Sequence, residues 1–180
     1  MKKSIFLTLV AILYLTQINA QEVNSDKPKN LNELKINALN LIAFKAIDIA
    51  YERVIDEESS VGISVFVSPG DDEILDFIRQ FSITPYYRRY FSKGYAKGFF
   101  VEGFGMLNTH ERDPFFFNNG TMSDENFTDF ALGISVGGKF VSKKGFTVDI
   151  YTGLGRNFFN DNNSGVDVVS RGGVTLGYRF

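Results

Sequence analysis

The chain contains no cysteine and no tryptophan, one histidine and only four prolines in 180 residues. Without cysteine there are no disulfides, no thiolate metal ligands, no cysteine nucleophile and no lipid anchored through sulfur. A lone His110 removes the metal sites built from histidine clusters. An excess of charge of one sign is missing too. Nineteen basic residues against 21 acidic ones leave −2 and a pI near 5.5, so the electrostatic case for a nucleic-acid partner is absent. After residue 20 no run of 18 apolar residues occurs, which argues against a membrane-spanning helix there. What the chain has in quantity is Phe (19), Tyr (8) and Gly (17), the largest side chains alongside the smallest.

Residues 1–20 read as a signal peptide. Lys2 and Lys3 precede the apolar run Ile5 to Leu15, and a small residue, Ala20, stands at the expected cleavage point. As a helix that run rises only about 16 Å, short of a bilayer. Residues 21–33 (QEVNSDKPKNLNE) are polar and without periodicity, and are expected to form a flexible periplasmic lead.

From Leu34 onward apolar residues recur at every second position, which is the period of a strand. Val61, Ile63, Val65 and Val67 share one face, opposite Gly62, Ser64 and Ser68. Val174, Leu176, Tyr178 and Phe180 oppose Gly173, Thr175, Gly177 and Arg179. Eight such segments are predicted, at 34–44, 46–56, 60–69, 81–91, 98–108, 129–142, 146–156 and 171–180. Two irregularities, a slip of the alternation at Ala38-Leu39-Asn40 and Pro85 inside the fourth segment, predict bulges. Connections after the even segments are tight, whereas those near 70–80, 109–128 and 157–170 are long and polar. Alternating strands of about ten residues, with short turns on one side and long loops on the other, describe an all-β fold: an eight-stranded antiparallel transmembrane β-barrel over 34–180. A soluble lipocalin-like barrel is the structural rival, since it alternates with the opposite face inward. The second face here is rich in glycine and poor in Lys and Glu, which favours the membrane form. In the fifth segment Glu102 is expected inside, because a charge facing lipid costs up to several kcal/mol.

With the apolar faces outward, Asp48, Glu52 and Asp149 point inward against Arg88, Lys139 and Arg179. Buried ions persist when paired, so this lumen charge network predicts a plugged interior and no open pore. No catalytic, cofactor-binding or metal residues stand out. His110 with Asp113 and Ser123 would be needed for a hydrolytic triad, and no nucleophile motif accompanies them. Asp161-Asn162-Asn163-Ser164-Gly165 lacks the distal acid of a calcium loop. Phe115, Phe116 and Phe117 cannot alternate, and form a candidate surface contact for a glycan or protein partner.

The last eight residues, Gly173 to Phe180, resemble the terminal strand of outer-membrane barrels, which end in an aromatic residue preceded by apolar ones at alternate positions. More widely, residues 34–180 resemble small eight-stranded outer-membrane barrels common in Bacteroidota, a family without an assigned function. The segments Ile83 to Phe91 and Gly98 to Gly105 carry that likeness. The resemblance implies a bacterial outer-membrane location, with outer-membrane lipids and the barrel-assembly machinery as partners and Tyr178 and Phe180 as the assembly signal. It implies no cofactor. Tyr51, Tyr87, Phe91 and Tyr178 are candidates for the interface girdle that Trp supplies in many barrels. The expected role is structural or surface-interacting, the alternatives being a membrane-embedded enzyme, a small-solute transporter or the soluble binder.

Overall fold

The computed structural model describes residues 30–68, 79–111, 126–158 and 168–180. The elements run β1 (Asn32–Asn37), α1 (Ala38–Phe44), β2 (Ile47–Val54), β3 (Ser59–Val67), β4 (Phe81–Tyr90), β5 (Gly98–Glu111), β6 (Asn126–Val141), β7 (Phe146–Asn157) and β8 (Val168–Arg179). Each strand pairs antiparallel with its sequence neighbours, and β1 pairs with β8 to close the barrel. Residues 1–20, expected to be a signal peptide, most of the expected lead, Phe115–Phe117, Asp113, Ser123 and the 161–165 segment lie outside the described residues.

Registers are uniform along every strand pair. From Arg179 the partners run Glu33, Glu52, Gly62, Tyr86, Phe104, Gly133, Gly155 and Val169. One circuit therefore returns to β8 ten residues from its start, from 179 to 169. A shear of ten on eight strands inclines them by about 40°, so each residue climbs about 2.5 Å along the barrel axis.

Three expectations are corrected. The first segment is not one strand from 34 to 44: β1 begins at Asn32, within the expected lead, and ends at Asn37. The slip at Ala38-Leu39-Asn40 is the start of helix α1, not a bulge. Asn37 caps it, its Oδ1 accepting from the Asn40 amide at 3.3 Å, and Lys45 ends it in the left-handed region at φ 54. Pro85 makes no bulge either. Ile63 pairs with Pro85, and the β4–β5 register is the same at Ile83↔Leu107 and Tyr86↔Phe104. Only the pairings of Thr84 and Pro85 with β5 are missing, as a residue without an N–H requires. Strands β5, β6 and β8 also reach further than expected into the long connections.

The two faces of the wall differ sharply. Outward-facing Leu34, Ile49, Ile63, Ile134 (68% exposed), Phe140 (66% exposed) and Leu154 form an apolar band around the circumference. Inward-facing Glu33, Glu52, Glu102, Lys139 and Asp149 are fully or almost fully buried. Phe99, Val101 and Leu107 of β5 face out while Phe100, Glu102 and Phe104 face in. Aromatic rings gather at the end that carries the tight turns: Tyr51, Tyr87, Phe91, Phe99, Phe140, Phe146 and Tyr178 are all exposed there. On β4 the exposed Phe81 lies ten residues from Phe91, about 25 Å along the axis at this tilt.

Candidate functional site

The feature that sets this interior apart is a continuous ion-pair network near the tight-turn end. It forms because the two-residue period places every second residue of each strand inside, and the uniform registers stack those residues into layers. Glu52 of β2 is the hub. Its Oε2 receives Lys35 Nζ at 2.7 Å, Arg88 Nη1 at 3.0 Å and the Tyr86 hydroxyl at 3.1 Å. Its Oε1 receives Lys139 Nζ, the Ser60 hydroxyl at 2.8 Å and the Tyr90 hydroxyl at 2.9 Å. Around this hub Glu33 binds Lys35 (2.9 Å), Lys139 (3.0 Å) and Arg179 (2.6 Å). Asp149 binds Lys35 (2.7 Å) and Arg88 (2.6 Å). Glu102 binds Arg88 (2.7 Å) and Arg171 (2.9 Å) and accepts from the Ser135 hydroxyl at 3.0 Å.

Aromatic rings frame these charges. The Arg88 guanidinium lies 4.3 Å from the Phe100 ring centroid and 4.7 Å from that of Tyr86, and Lys139 lies 5.0 Å from that of Tyr90. Tyr86 folds over its cross-strand partner Gly62, and Phe104 over Gly133. A Cβ at either glycine would sit within the ring, so the small residues of the inner face are what give the rings their space. An apolar cluster, Tyr86, Phe104, Met106, Ala131 and Val169, lies towards the long-loop end. At the opposite end the β4–β5 turn tucks Ala96 completely out of solvent. The carbonyls of Tyr95 and Ala96 accept from Arg179, each at 3.0 Å.

Of the six residues expected in the charge network, Glu52, Arg88, Lys139, Asp149 and Arg179 are brought together, with Glu102 as a further acid. Asp48 is the exception. It is buried, but its Oδ2 accepts from the amides of Asn37 (3.0 Å) and Asn40 (2.9 Å), and among the described residues no cation lies in ion-pair contact with it. Three members were missed: Glu33, Lys35 and Arg171. Their signal was available, since Glu33 and Lys35 alternate with Leu34 and Ile36, and Arg171 shares the face of Arg179. Tyr178 and Phe180 lie half-exposed on the outer face, and Phe180 exchanges backbone hydrogen bonds with Asn32 (2.8 and 3.1 Å) across the seam.

Among the described residues no three His, Cys, Asp or Glu side chains converge on a metal-sized site. The carboxylates of the network are held by cations and hydroxyls, Ser60 and Tyr90 donating to Glu52 and Ser135 to Glu102. What this arrangement does chemically is hold buried Lys35, Arg88, Lys139, Arg171 and Arg179 in ion pairs with Glu33, Glu52, Glu102 and Asp149.

Fold and interior together define the class, a closed eight-stranded antiparallel barrel that is polar within and apolar without. Comparison of the chain with protein-family models, with curated proteins and with solved structures returns no match.

Proposed function

We propose that this chain is an integral barrel of a bacterial outer membrane, with an interior closed to ion flow and a structural or surface-interacting role. The observation that carries the reading is the apolar band encircling the outer wall while the charges are inside. In water that arrangement would leave the band exposed, whereas a bilayer would cover it while the interior ions stay paired with one another. Closure favours the same reading, because every strand has two partners and lipid tolerates no open sheet edge. The spacing of about 25 Å between the exposed rings Phe81 and Phe91 matches the apolar band of such barrels, which aromatic girdles flank. The basic and then apolar start at Lys2 to Leu15 supports export.

The closed interior rests on the network. Moving any of its buried ions to open a path leaves partners unpaired, at about 3–5 kcal/mol each. Purified protein in planar bilayers is expected to give no steady conductance. Reproducible nanosiemens steps from the unmodified chain would contradict this and favour a transporter. Fractionation tests location separately. Protein in the outer membrane that migrates differently on gels before and after boiling supports the reading, and protein recovered in the periplasm without detergent overturns it.

A further inference from the structure

The ladder between β1 and β8 stops at Asn37↔Thr175, although β8 continues back to Val168. Where the rest of β1 would have paired, the chain forms α1 instead. The backbone groups of even-numbered β8 residues face β1, as the paired Phe180 and Asn32 demonstrate. By the two-residue period Gly172 and Val174 point the same way. The Gly172 carbonyl accepts from Asn37 Nδ2 at 3.1 Å, a side chain standing where a strand would be. Beyond it the wall is completed by a helix, which cannot continue a β-ladder.

A cavity of about 460 Å³ lies at this seam. Leu39, Phe44 and Val174 line its outer part, and Phe66, Arg79 and Arg171 its inner part. It therefore joins the apolar exterior to a corner of the interior that carries two arginines, faced by the carboxylates of Asp48 and Glu102, within the size range of small-molecule sites. The exterior here is unusually apolar, with Ile42 of α1 82% exposed and Leu39 and Leu41 beside it. The two arginines are held differently. Arg171 is engaged by Glu102 (2.9 Å) and by Ser64 (2.7 Å). Arg79 lies 4.0 Å from the Phe66 ring centroid and 3.7 Å from Met106 Sδ, and among the described residues no carboxylate is in ion-pair contact with it. A guanidinium carries five N–H donors in a fixed fork, and a ring and a thioether use few of them.

We propose that the seam between α1 and β8 is a binding site for an anionic amphiphile. One acyl chain lies against Leu39, Phe44 and Val174, and its carboxylate or phosphate head is taken by Arg79 beside Arg171. The inference rests on the bilayer reading only for the route by which the ligand arrives, through the side of the barrel.

The test uses the purified full chain in a non-ionic detergent, with the backbone amides of Gly172 and Val174 followed by NMR. Dodecanoate, dodecyl phosphate, dodecanol and inorganic phosphate are titrated separately. Dodecanoate or dodecyl phosphate is expected to shift both amides to saturation, and whichever binds tighter identifies the head as fatty acid or phosphate ester. Dodecanol should bind at least tenfold more weakly, and inorganic phosphate should leave the amides unmoved. Arg79→Gln should weaken the anionic ligands at least tenfold. The contrast between dodecanoate and dodecanol needs no variant, so it stands even if Arg79→Gln fails to fold. Equal titration by dodecanol, saturation by inorganic phosphate alone, unchanged affinity in folded Arg79→Gln, or no saturable shift would overturn the proposal. Protein that inserts into vesicles without a saturable shift defeats the site alone. Protein that binds dodecanoate but stays out of vesicles defeats only the bilayer reading.

Discussion

The two halves of the barrel interior solve the same problem in different ways. Towards the tight turns, Glu33, Lys35, Glu52, Arg88, Lys139, Asp149 and Arg179 form ion pairs with one another, Asp149 through Oδ2 while its Oδ1 accepts no hydrogen bond, and the strands around them are paired on both sides. Towards the long loops, Phe104, Met106, Ala131 and Val169 supply apolar filling, Asp48 is held by amides, and β8 loses its β1 partner. Charge matching locks each ion to several strands at once. Apolar filling tolerates change with a graded cost. Ion pairing and apolar packing are thus separated along one axis of one small barrel.

The sharpest way to break this comparison is Glu52→Leu. Three cations lose their common carboxylate while buried, so the loss in unfolding free energy in detergent micelles should be near the upper end of the range, about 5 kcal/mol. A cost below about 1 kcal/mol would mean that the cations find water or other partners, and that the network is not what holds the lower half. Phe104→Ala in the upper half should cost less, about 3 kcal/mol, through the cavity left above Gly133. Its loss should leave the Arg88–Glu102 pair in place. Asp48→Asn should cost less again, about 1 kcal/mol, because the amide oxygen can accept the bonds from Asn37 and Asn40 and no direct ion pair is broken. Equal losses for Asp48→Asn and Glu52→Leu would erase the distinction between the halves.

The smallest effect concerns the exposed β2–β3 turn, beyond both halves. The Asp56 carboxyl is held below its usual value by the Ser59 hydroxyl and by the Glu58 amide, which donates at 2.9 Å. A depressed value in the folded state stabilises the turn above the ordinary carboxylate range, and that stabilisation is lost as pH falls through the lowered value. The Glu58 amide resonance should therefore titrate below about pH 3.9, the unperturbed value for aspartate. A midpoint at or above it would show that the turn bonds do not persist in solution.

Much of this was legible in the sequence because the strand period is strict. Once Val61, Ile63 and Val65 fix the outer face of β3, every other strand must obey the same inside–outside rule, and Glu52, Arg88 and Lys139 fall inside without further information. Cross-strand pairs such as Arg88 with Glu102 and Arg179 with Glu33 also follow once the registers are known. The contacts across the lumen do not. Lys139 has Asp149 as its backbone partner yet sends its amine to Glu33 and Glu52, because the barrel's curvature and shear bring distant strands face to face. Helix α1 escaped for a related reason. Ala38 to Phe44 is apolar enough for a strand, and its helical form depends on the Asn37 cap and the left-handed Lys45. Asp48 lies on the expected inner face, but its direct partners, Asn37 and Asn40, were set by that helix and so were not legible.

The absence of tryptophan makes the central claim, that the apolar wall faces lipid, open to a direct test. Ile134 sits on the outer face of β6 between Phe130 and Phe140, near the middle of the apolar band, and Lys143 lies in the exposed β6–β7 turn. Ile134→Trp and Lys143→Trp proteins are each folded into vesicles containing phosphatidylcholine brominated near the bilayer centre. The account predicts strong quenching of the emission from Ile134→Trp and much weaker quenching from Lys143→Trp. Equal, weak quenching at both positions, with the protein remaining outside the vesicles, would contradict it.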